Sequence, residues 1–175
     1  MMRLPISDND PKKIDSVKAG NLIDYAIDNG ANYLDTAYPY HNGESESFIG
    51  NYIKSRNNRD KILLATKMPV WLTNSYEDFE KYFNEQLKKL QTDYIDFYLL
   101  HALDKKTFTQ VKDLNVFKWL EEKKNQGKIR YIGFSFHDEF SVFKEIVDYY
   151  DKWDFCQIQL NYMDVEYQAG LKGLE

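Results

Sequence analysis

Short apolar runs alternate with amphipathic stretches along this chain, and the alternation predicts repeated strand–helix units. The predicted strands are residues 33–37, 62–66, 95–100, 129–134 and 155–160. Between most of them, apolar residues recur every three or four positions, which is the period of an α-helix. Successive units of this length place their strands in parallel with right-handed crossovers, so all carboxyl ends of the strands are predicted to share one edge.

Residues with capping side chains mark the predicted starts of three helices. Asp15 is expected to cap the first helix and Ser45 the second. Ser75, with Asp78 three residues later, resembles a capping box for the third. Met1 to Pro5 is predicted to be the remnant of a further strand. The apolar stripe expected on the first helix consists of Leu22, Ile23, Ala26 and Ile27.

The repeated units predict an α/β fold of the (β/α)8 TIM-barrel type. A doubly wound nucleotide-binding sheet is less favoured, because the chain has no G-x-G-x-x-G or G-x-x-x-x-G-K turn. An eight-stranded barrel takes roughly 250 residues, whereas this chain has 175. We therefore expect residues 1–175 to form a single partial barrel domain with about five to six units, truncated at the carboxyl end so that the last strands are missing.

Composition narrows the expected partners. Apolar residues make up 43% of the chain, which is enough for a sizeable core, and the net charge of −5 comes from interspersed signs. Because there is no basic stripe to follow a phosphate backbone, nucleic acid is not expected as a partner. Cys156 is the only cysteine, so no metal or iron–sulfur site is predicted within this chain. No apolar run suits a membrane span or a signal peptide, which predicts a cytoplasmic protein with no membrane partner.

A polar residue lies at or near the carboxyl end of each predicted strand. Each has an ordinary structural explanation when taken alone, such as a loop cap or a lysine whose charged end reaches solvent. At equivalent positions of consecutive units, however, the mouth of a barrel would bring them around one pocket. These residues are Asp35, Lys67, His101, Ser135 and Gln157.

The side chains predicted at this edge permit proton transfer to a carbonyl group. The phenolate form of a tyrosine is favoured beside a buried ammonium, which makes the phenol a usable proton donor. Asp35 would keep Lys67 charged, and His101 could orient a substrate carbonyl through a neutral hydrogen bond. Two phenols, Tyr38 and Tyr40, follow Asp35 closely enough to complete such a site. Reduction of a carbonyl by a hydride donor needs these parts.

Three segments resemble the aldo-keto reductase family. Residues 35–46 match its D-T-A-x-x-Y-x-N-G-x-S-E pattern, residues 66–67 its T-K strand end, and residues 99–101 its L-L-H strand end. The resemblance implies that Tyr40 is the proton donor, and Tyr38 is the alternative phenol. It also implies a catalytic tetrad, which consists of Asp35, Tyr40, Lys67 and His101.

The same resemblance implies a nicotinamide cofactor. Asp35, Ser135 and Gln157 are the expected cofactor-binding residues, with Ser135 and Gln157 on the carboxamide. The family often has Ser-Asn where this chain has Ser135-Phe136, so the asparagine contact does not carry over. NADPH is the expected cofactor and NADH the alternative. The form of this segment resembles a branch whose longer members append a ferredoxin-like module.

Two functions follow from the sequence. The first is an oxidoreductase that reduces aldehyde or ketone carbonyls of a small substrate by hydride transfer from a nicotinamide cofactor. The alternative is a catalytically silent truncated fragment or binding subunit of the same fold. An incomplete barrel also exposes the edges of its end strands, and residues 155–160 carry no charge to discourage pairing. Edge-to-edge self-association of the fragment is therefore expected.

Overall fold

Five parallel strands form one curled sheet in the computed structural model, which describes all 175 residues. Each strand pairs in parallel with its neighbours in sequence, in the order β1-β2-β3-β4-β5. This half-barrel matches an incomplete (β/α)8 barrel, so the predicted fold class is confirmed. The strands are β1 (Tyr33–Asp35), β2 (Leu63–Met68), β3 (Ile95–Leu103), β4 (Ile129–Phe136) and β5 (Phe155–Gln157).

Seven helices accompany the sheet, and those between consecutive strands make the crossovers that keep the strands parallel. No helix is both long and apolar enough to cross a lipid bilayer. The helices are α1 (Ser16–Asp28), α2 (Ser45–Arg56), α3 (Tyr76–Leu90), α4 (Lys105–Asp113), α5 (Val116–Asn125), α6 (Phe140–Tyr149) and α7 (Gly170–Leu174). Short 3₁₀ turns lie at Tyr40–Gly43, Arg59–Lys61 and Val70–Leu72.

Two of the three predicted helix caps are confirmed. The Asp15 carboxylate accepts a hydrogen bond from the backbone N–H of Lys18 at 3.0 Å, which satisfies one of the free donors at the start of α1. Ser75 and Asp78 form both bonds of a capping box at the start of α3. These caps depend on residues within one turn of each other, which is why the sequence predicts them well.

The prediction for Ser45 is wrong, and the predicted α1 stripe is wrong at Leu22 only, since Ile23 is buried and Ala26 and Ile27 are half-buried. Glu44 occupies the N-cap position of α2, and the Ser45 hydroxyl instead shares a hydrogen bond of 2.9 Å with the Thr36 hydroxyl beside β1. Leu22 is exposed, whereas Ile23 and Ala19 are buried. The buried face of α1 is therefore centred on Ala19 and Ile23, with Leu22 outside it.

Residues at the start of the chain form a loop and not the predicted strand. Ile6 and Ile14 form an isolated antiparallel bridge, and no strand is found over Met1 to Pro5. The backbone N–H of Leu4 donates to Nε2 of His41 at 3.0 Å. The His41 side chain thus accepts a hydrogen bond from the Leu4 N–H, which in a strand would pair with a neighbouring strand.

Helix α4 was not predicted, although its signals are present in the sequence. Asp104 and Thr107 form a capping box, and the buried residues Phe108 and Val111 lie three positions apart. Helix α4 lies in a short, mostly polar segment directly before α5. The apolar periodicity in this region predicted only α5. The contribution of α4 is to cover the outer side of β3 at the edge that carries the polar residues.

The core lies between the sheet and its helices, and its largest members include Trp119, Phe79 and Phe83. The concave face of the sheet carries a second, thinner aromatic layer below the polar edge. Its rings lie about 5 Å apart between Tyr33 and Phe97, Phe97 and Tyr131, and Phe97 and Phe155. Gly133 allows this layer to form, because a Cβ atom there would lie only 2.5 Å from the Phe155 ring.

Candidate active site

Lys67 and Asp35 form an ion pair at the carboxyl ends of β2 and β1. The Lys67 ammonium donates to both carboxylate oxygens of Asp35 at 2.7 Å and to the backbone carbonyl of Thr36 at 2.9 Å. Lys67 is only 1% exposed. Since neighbouring parallel strands hold the two residues, the pair is fixed in position before any ligand binds.

Tyr40 lies beside this ion pair in the turn that follows β1. The Lys67 ammonium lies 3.3 Å from the phenol oxygen and is the donor in that hydrogen bond. The phenol proton is therefore free to be donated to another acceptor. The turn that presents Tyr40 places His41 and Asn42 at φ of 53° and 52°, a left-handed conformation that asparagine and histidine adopt more readily than most residues.

Tyr38 faces a different element. Its hydroxyl donates to the Glu85 carboxylate of α3 at 3.2 Å, and Lys89 lies 4.2 Å from the centre of its ring. Burial, followed by the Glu85 charge, raises the pKa of Tyr38 to about 12. Of the two phenols that the sequence left open, Tyr40 is the one that contacts Lys67.

His101 is held uncharged by its surroundings. Burial, assisted by the positive charge of Lys67 and then by His137, lowers the pKa of His101 to about 3. Its ring lies 5.9 Å from the Tyr40 ring and 5.2 Å from the Trp71 ring, measured between centroids. The buried Nδ1 atom of His101 has no hydrogen-bond partner. With Nδ1 buried, the nitrogen of the neutral imidazole that can bind a polar ligand is Nε2.

These side chains surround one cavity of about 230 Å³ at the edge of the sheet. The structure thus brings together four of the five predicted edge residues and Tyr40, while Asp35 lies behind Lys67. Met2 also lines the cavity, and Trp71 contacts His101; neither was identified from the sequence. The cavity is lined by Met2, Tyr40, Lys67, His101, Ser135, His137, Gln157, Ile158 and Gln159.

The polar groups of this cavity fit the carboxamide of a nicotinamide ring. The Ser135 hydroxyl accepts a hydrogen bond from the backbone N–H of Ala102 at 2.7 Å, which leaves its own proton to donate. The Gln157 amide can both donate and accept. The cavity is smaller than the roughly 300–1,000 Å³ of most ligand pockets. It suits a ring-sized group and not a whole dinucleotide.

A buried polar network supports Lys67 from the helix side of the sheet. The Glu46 carboxylate accepts hydrogen bonds from Thr66 and from the Gln86 amide, both at 2.6 Å. Gln86 also donates to the Lys67 carbonyl at 3.0 Å and accepts from the Tyr98 hydroxyl at 2.6 Å. Burial raises the pKa of Glu46. The sequence predicts no role for Glu46 or Gln86, because their partners lie on different elements.

A parallel βα half-barrel whose carboxyl edge carries Asp, Tyr, Lys and His side chains defines the class of this protein. The model of the Aldo/keto reductase family matches residues 1–172. The chain therefore belongs to the aldo/keto reductase family.

Related proteins are named as reductases and dehydrogenases, and the chain matches each of them over part of its length. It is 38% identical over 102 residues to norsolorinic acid reductase B of Dothistroma septosporum, which covers 51% of this chain and 26% of that protein. It is 30% identical over 138 residues to an aryl-alcohol dehydrogenase [NADP(+)] of Phanerodontia chrysosporium, covering 70% and 35%.

Solved structures agree on the fold. An aldo-keto reductase from Bacillus halodurans in its holo form superimposes with a TM-score of 0.66 at 31% identity. The match covers 83% of this chain and 49% of that structure. The chain thus spans about a quarter to a half of these relatives.

Proposed function

We propose that this chain carries the proton-transfer site of a nicotinamide-dependent reductase of aldehydes or ketones. The observation that supports this most directly is the contact between Lys67 and Tyr40. The ammonium donates to the phenol oxygen at 3.3 Å, so the phenol proton can be given to a substrate.

Tyr40 acts in this proposal as the general acid. It donates its proton to the carbonyl oxygen of the substrate, and Lys67 stabilises the phenolate that remains. Asp35 keeps the ammonium charged through its two contacts of 2.7 Å. When bound, the nicotinamide cofactor would supply the hydride that adds to the carbonyl carbon, so that hydride and proton together give the alcohol.

His101 acts as a second hydrogen-bond donor to the carbonyl oxygen. Because its pKa is lowered to about 3, it remains neutral near pH 7 and polarises the carbonyl without competing for the Tyr40 proton. The ring of Tyr40 lies 5.9 Å from that of His101, which is close enough for both to reach one oxygen atom. Two donors at one oxygen would stabilise the negative charge that develops there.

The cofactor we propose is NADPH, with NADH as the alternative. The name of the Phanerodontia chrysosporium relative includes NADP(+), which supports NADPH. Ser135 and Gln157 would hold the carboxamide, and Asp35 would act on the cofactor site only through its contact with Lys67. The ferredoxin-like branch and the cytoplasmic location remain predictions from the sequence.

A silent fragment or binding subunit is the second candidate function. One observation favours it: the cavity of about 230 Å³ suits one ring and not a dinucleotide. Direct titration of NADPH into the 175-residue chain by calorimetry separates the two functions. Binding favours the reductase, whereas the absence of binding favours the silent fragment.

The role of Tyr40 is tested by comparing Tyr40→Phe with Tyr38→Phe. We expect Tyr40→Phe to reduce the rate of NADPH-dependent aldehyde reduction by at least 100-fold, the usual contribution of a general acid, while NADPH affinity stays nearly unchanged. The measurement is made in a chimera in which residues 1–172 replace the matching segment of the Bacillus halodurans reductase. A Tyr40→Phe chimera that keeps most of its rate would transfer the role to Tyr38.

A further inference from the structure

Ala102 adopts an unusual backbone conformation directly after His101. Its φ is +52°, in the left-handed region that residues with a Cβ atom seldom occupy. The pairing of β3 with β4 also shifts at this point, between Leu100 and Leu103. A bulge of this kind needs a specific partner to hold it, since alanine does not favour it.

Ser135 on β4 provides that partner. Its hydroxyl oxygen accepts the backbone N–H of Ala102 at 2.7 Å, and Ser135 is only 5% exposed. On the far side of the bulge, Leu103 resumes pairing with Phe136. The hydroxyl therefore replaces the strand-to-strand bond that the bulge removes.

We infer that Ser135 is a positioning residue for His101. By holding Ala102 in the left-handed conformation, it sets the direction in which the preceding imidazole enters the cavity. This is the orientation in which His101 lies beside Tyr40 and Trp71. The catalytic meaning of the inference rests on the proposed function, whereas the structural link between Ser135 and His101 does not.

The same hydroxyl has a second use. Because it accepts from Ala102, its proton stays available for the carboxamide of a nicotinamide. The Ser135 side chain would then both bind the cofactor and orient His101. Loss of activity in a Ser135 variant cannot separate the two effects, so the test needs a readout that does not depend on the cofactor.

Hydrogen–deuterium exchange of the 175-residue chain provides that readout. The backbone amide of residue 102 reports the bulge, and slow exchange at the imidazole Cε1 carbon reports the surroundings of His101. Both are followed by mass spectrometry at low micromolar concentration without ligand. The matched variants are Ser135→Thr and Ser135→Val, which have the same shape and differ in the hydroxyl.

We expect Ser135→Val to speed exchange of the amide at position 102 at least tenfold and to change the exchange rate of the His101 imidazole. Ser135→Thr should leave both rates close to those of the unmodified chain. Adding Ala102→Gly to Ser135→Val should restore the imidazole rate, because glycine adopts the left-handed conformation without a steric cost. His41 and His137 serve as internal references in the same samples.

Three results would overturn the inference: equal amide exchange in the two Ser135 variants, an unchanged imidazole rate in Ser135→Val, or no recovery on adding Ala102→Gly. If Ser135→Val unfolds, the double variant Ser135→Val with Ala102→Gly is compared with Ser135→Thr alone, and an imidazole rate that differs between them counts against the inference. A chimera without reductase activity would contradict the proposed function and leave these rates unaffected.

Discussion

Burial controls the charge of His101, and the resulting pKa of about 3 links this residue to acid stability. The unfolded chain binds the His101 proton near pH 6.5, while the folded chain binds it only near pH 3, so the unfolded state holds more protons between these values. Stability should therefore fall as pH decreases through this window, by about 1 kcal/mol from pH 7 to pH 5.5. Urea unfolding of the chain and of His101→Asn at both pH values measures this. Equal losses in the two proteins would contradict it.

Breaking the ion pair of Lys67 with Asp35 is expected to affect stability as well as the proposed chemistry. Lys67→Met leaves a largely buried carboxylate unpaired, and we expect it to destabilise the chain by about 3 kcal/mol. Adding Asp35→Asn removes that charge and should recover most of the lost stability. Thermal melting followed by circular dichroism compares the three proteins.

The same pair of variants separates folding from catalysis. In the chimera, Lys67→Met with Asp35→Asn should remain without reductase activity even where its melting temperature recovers, since no ammonium stabilises the Tyr40 phenolate. Activity that returned together with stability would mean that Lys67 is only structural.

The close packing of α2 on α3 depends on Gly50. A Cβ atom at this position would clash with the Lys89 carbonyl oxygen and would lie 2.8 Å from the Leu90 carbonyl carbon. Both are backbone atoms that cannot move without shifting a helix, so Gly50→Ala should destabilise the chain by about 1–3 kcal/mol. Lys54→Ala, on the exposed side of the same helix, is the control and should change stability by less than about 0.5 kcal/mol. Urea unfolding of both variants provides the comparison.

The half-barrel formed by these 175 residues exposes surfaces that a closed barrel would cover. β1 and β5 are the two edges of the sheet, and Tyr33 and Tyr131 of the concave aromatic layer are 40% and 44% exposed. Unpaired strand edges beside apolar side chains promote association. We therefore predict that the 175-residue chain self-associates and binds a hydrophobic dye, as light scattering and dye fluorescence would detect.

A charge placed on one edge tests whether the strands mediate this association. Cys156 is exposed on β5, and Cys156→Lys should weaken edge pairing and lower the measured mass. Ser141→Lys adds the same charge on α6, away from the edge, and should leave the mass unchanged. A monodisperse monomer in the unmodified chain would contradict the prediction.

Sequence alone determined the features that depend on neighbours along the chain. The periodicity of apolar residues predicted five parallel strands, and their carboxyl ends identified Lys67 and His101 as edge residues. Caps such as Asp15, whose partners lie within one helical turn, were also predicted correctly. The ends of the strands were less accurate, since β3 continues to Leu103 past the bulge at Ala102.

Only the tertiary structure decided contacts between residues on different elements. Tyr38 and Tyr40 are two residues apart and chemically alike, but Tyr38 contacts Glu85 of α3 whereas Tyr40 contacts Lys67 of β2. Ser45 does not cap α2 as predicted, because its hydroxyl is hydrogen-bonded to the Thr36 hydroxyl beside β1. These contacts depend on burial and on hydrogen bonds between elements that are distant in sequence. A local sequence pattern determines neither of them.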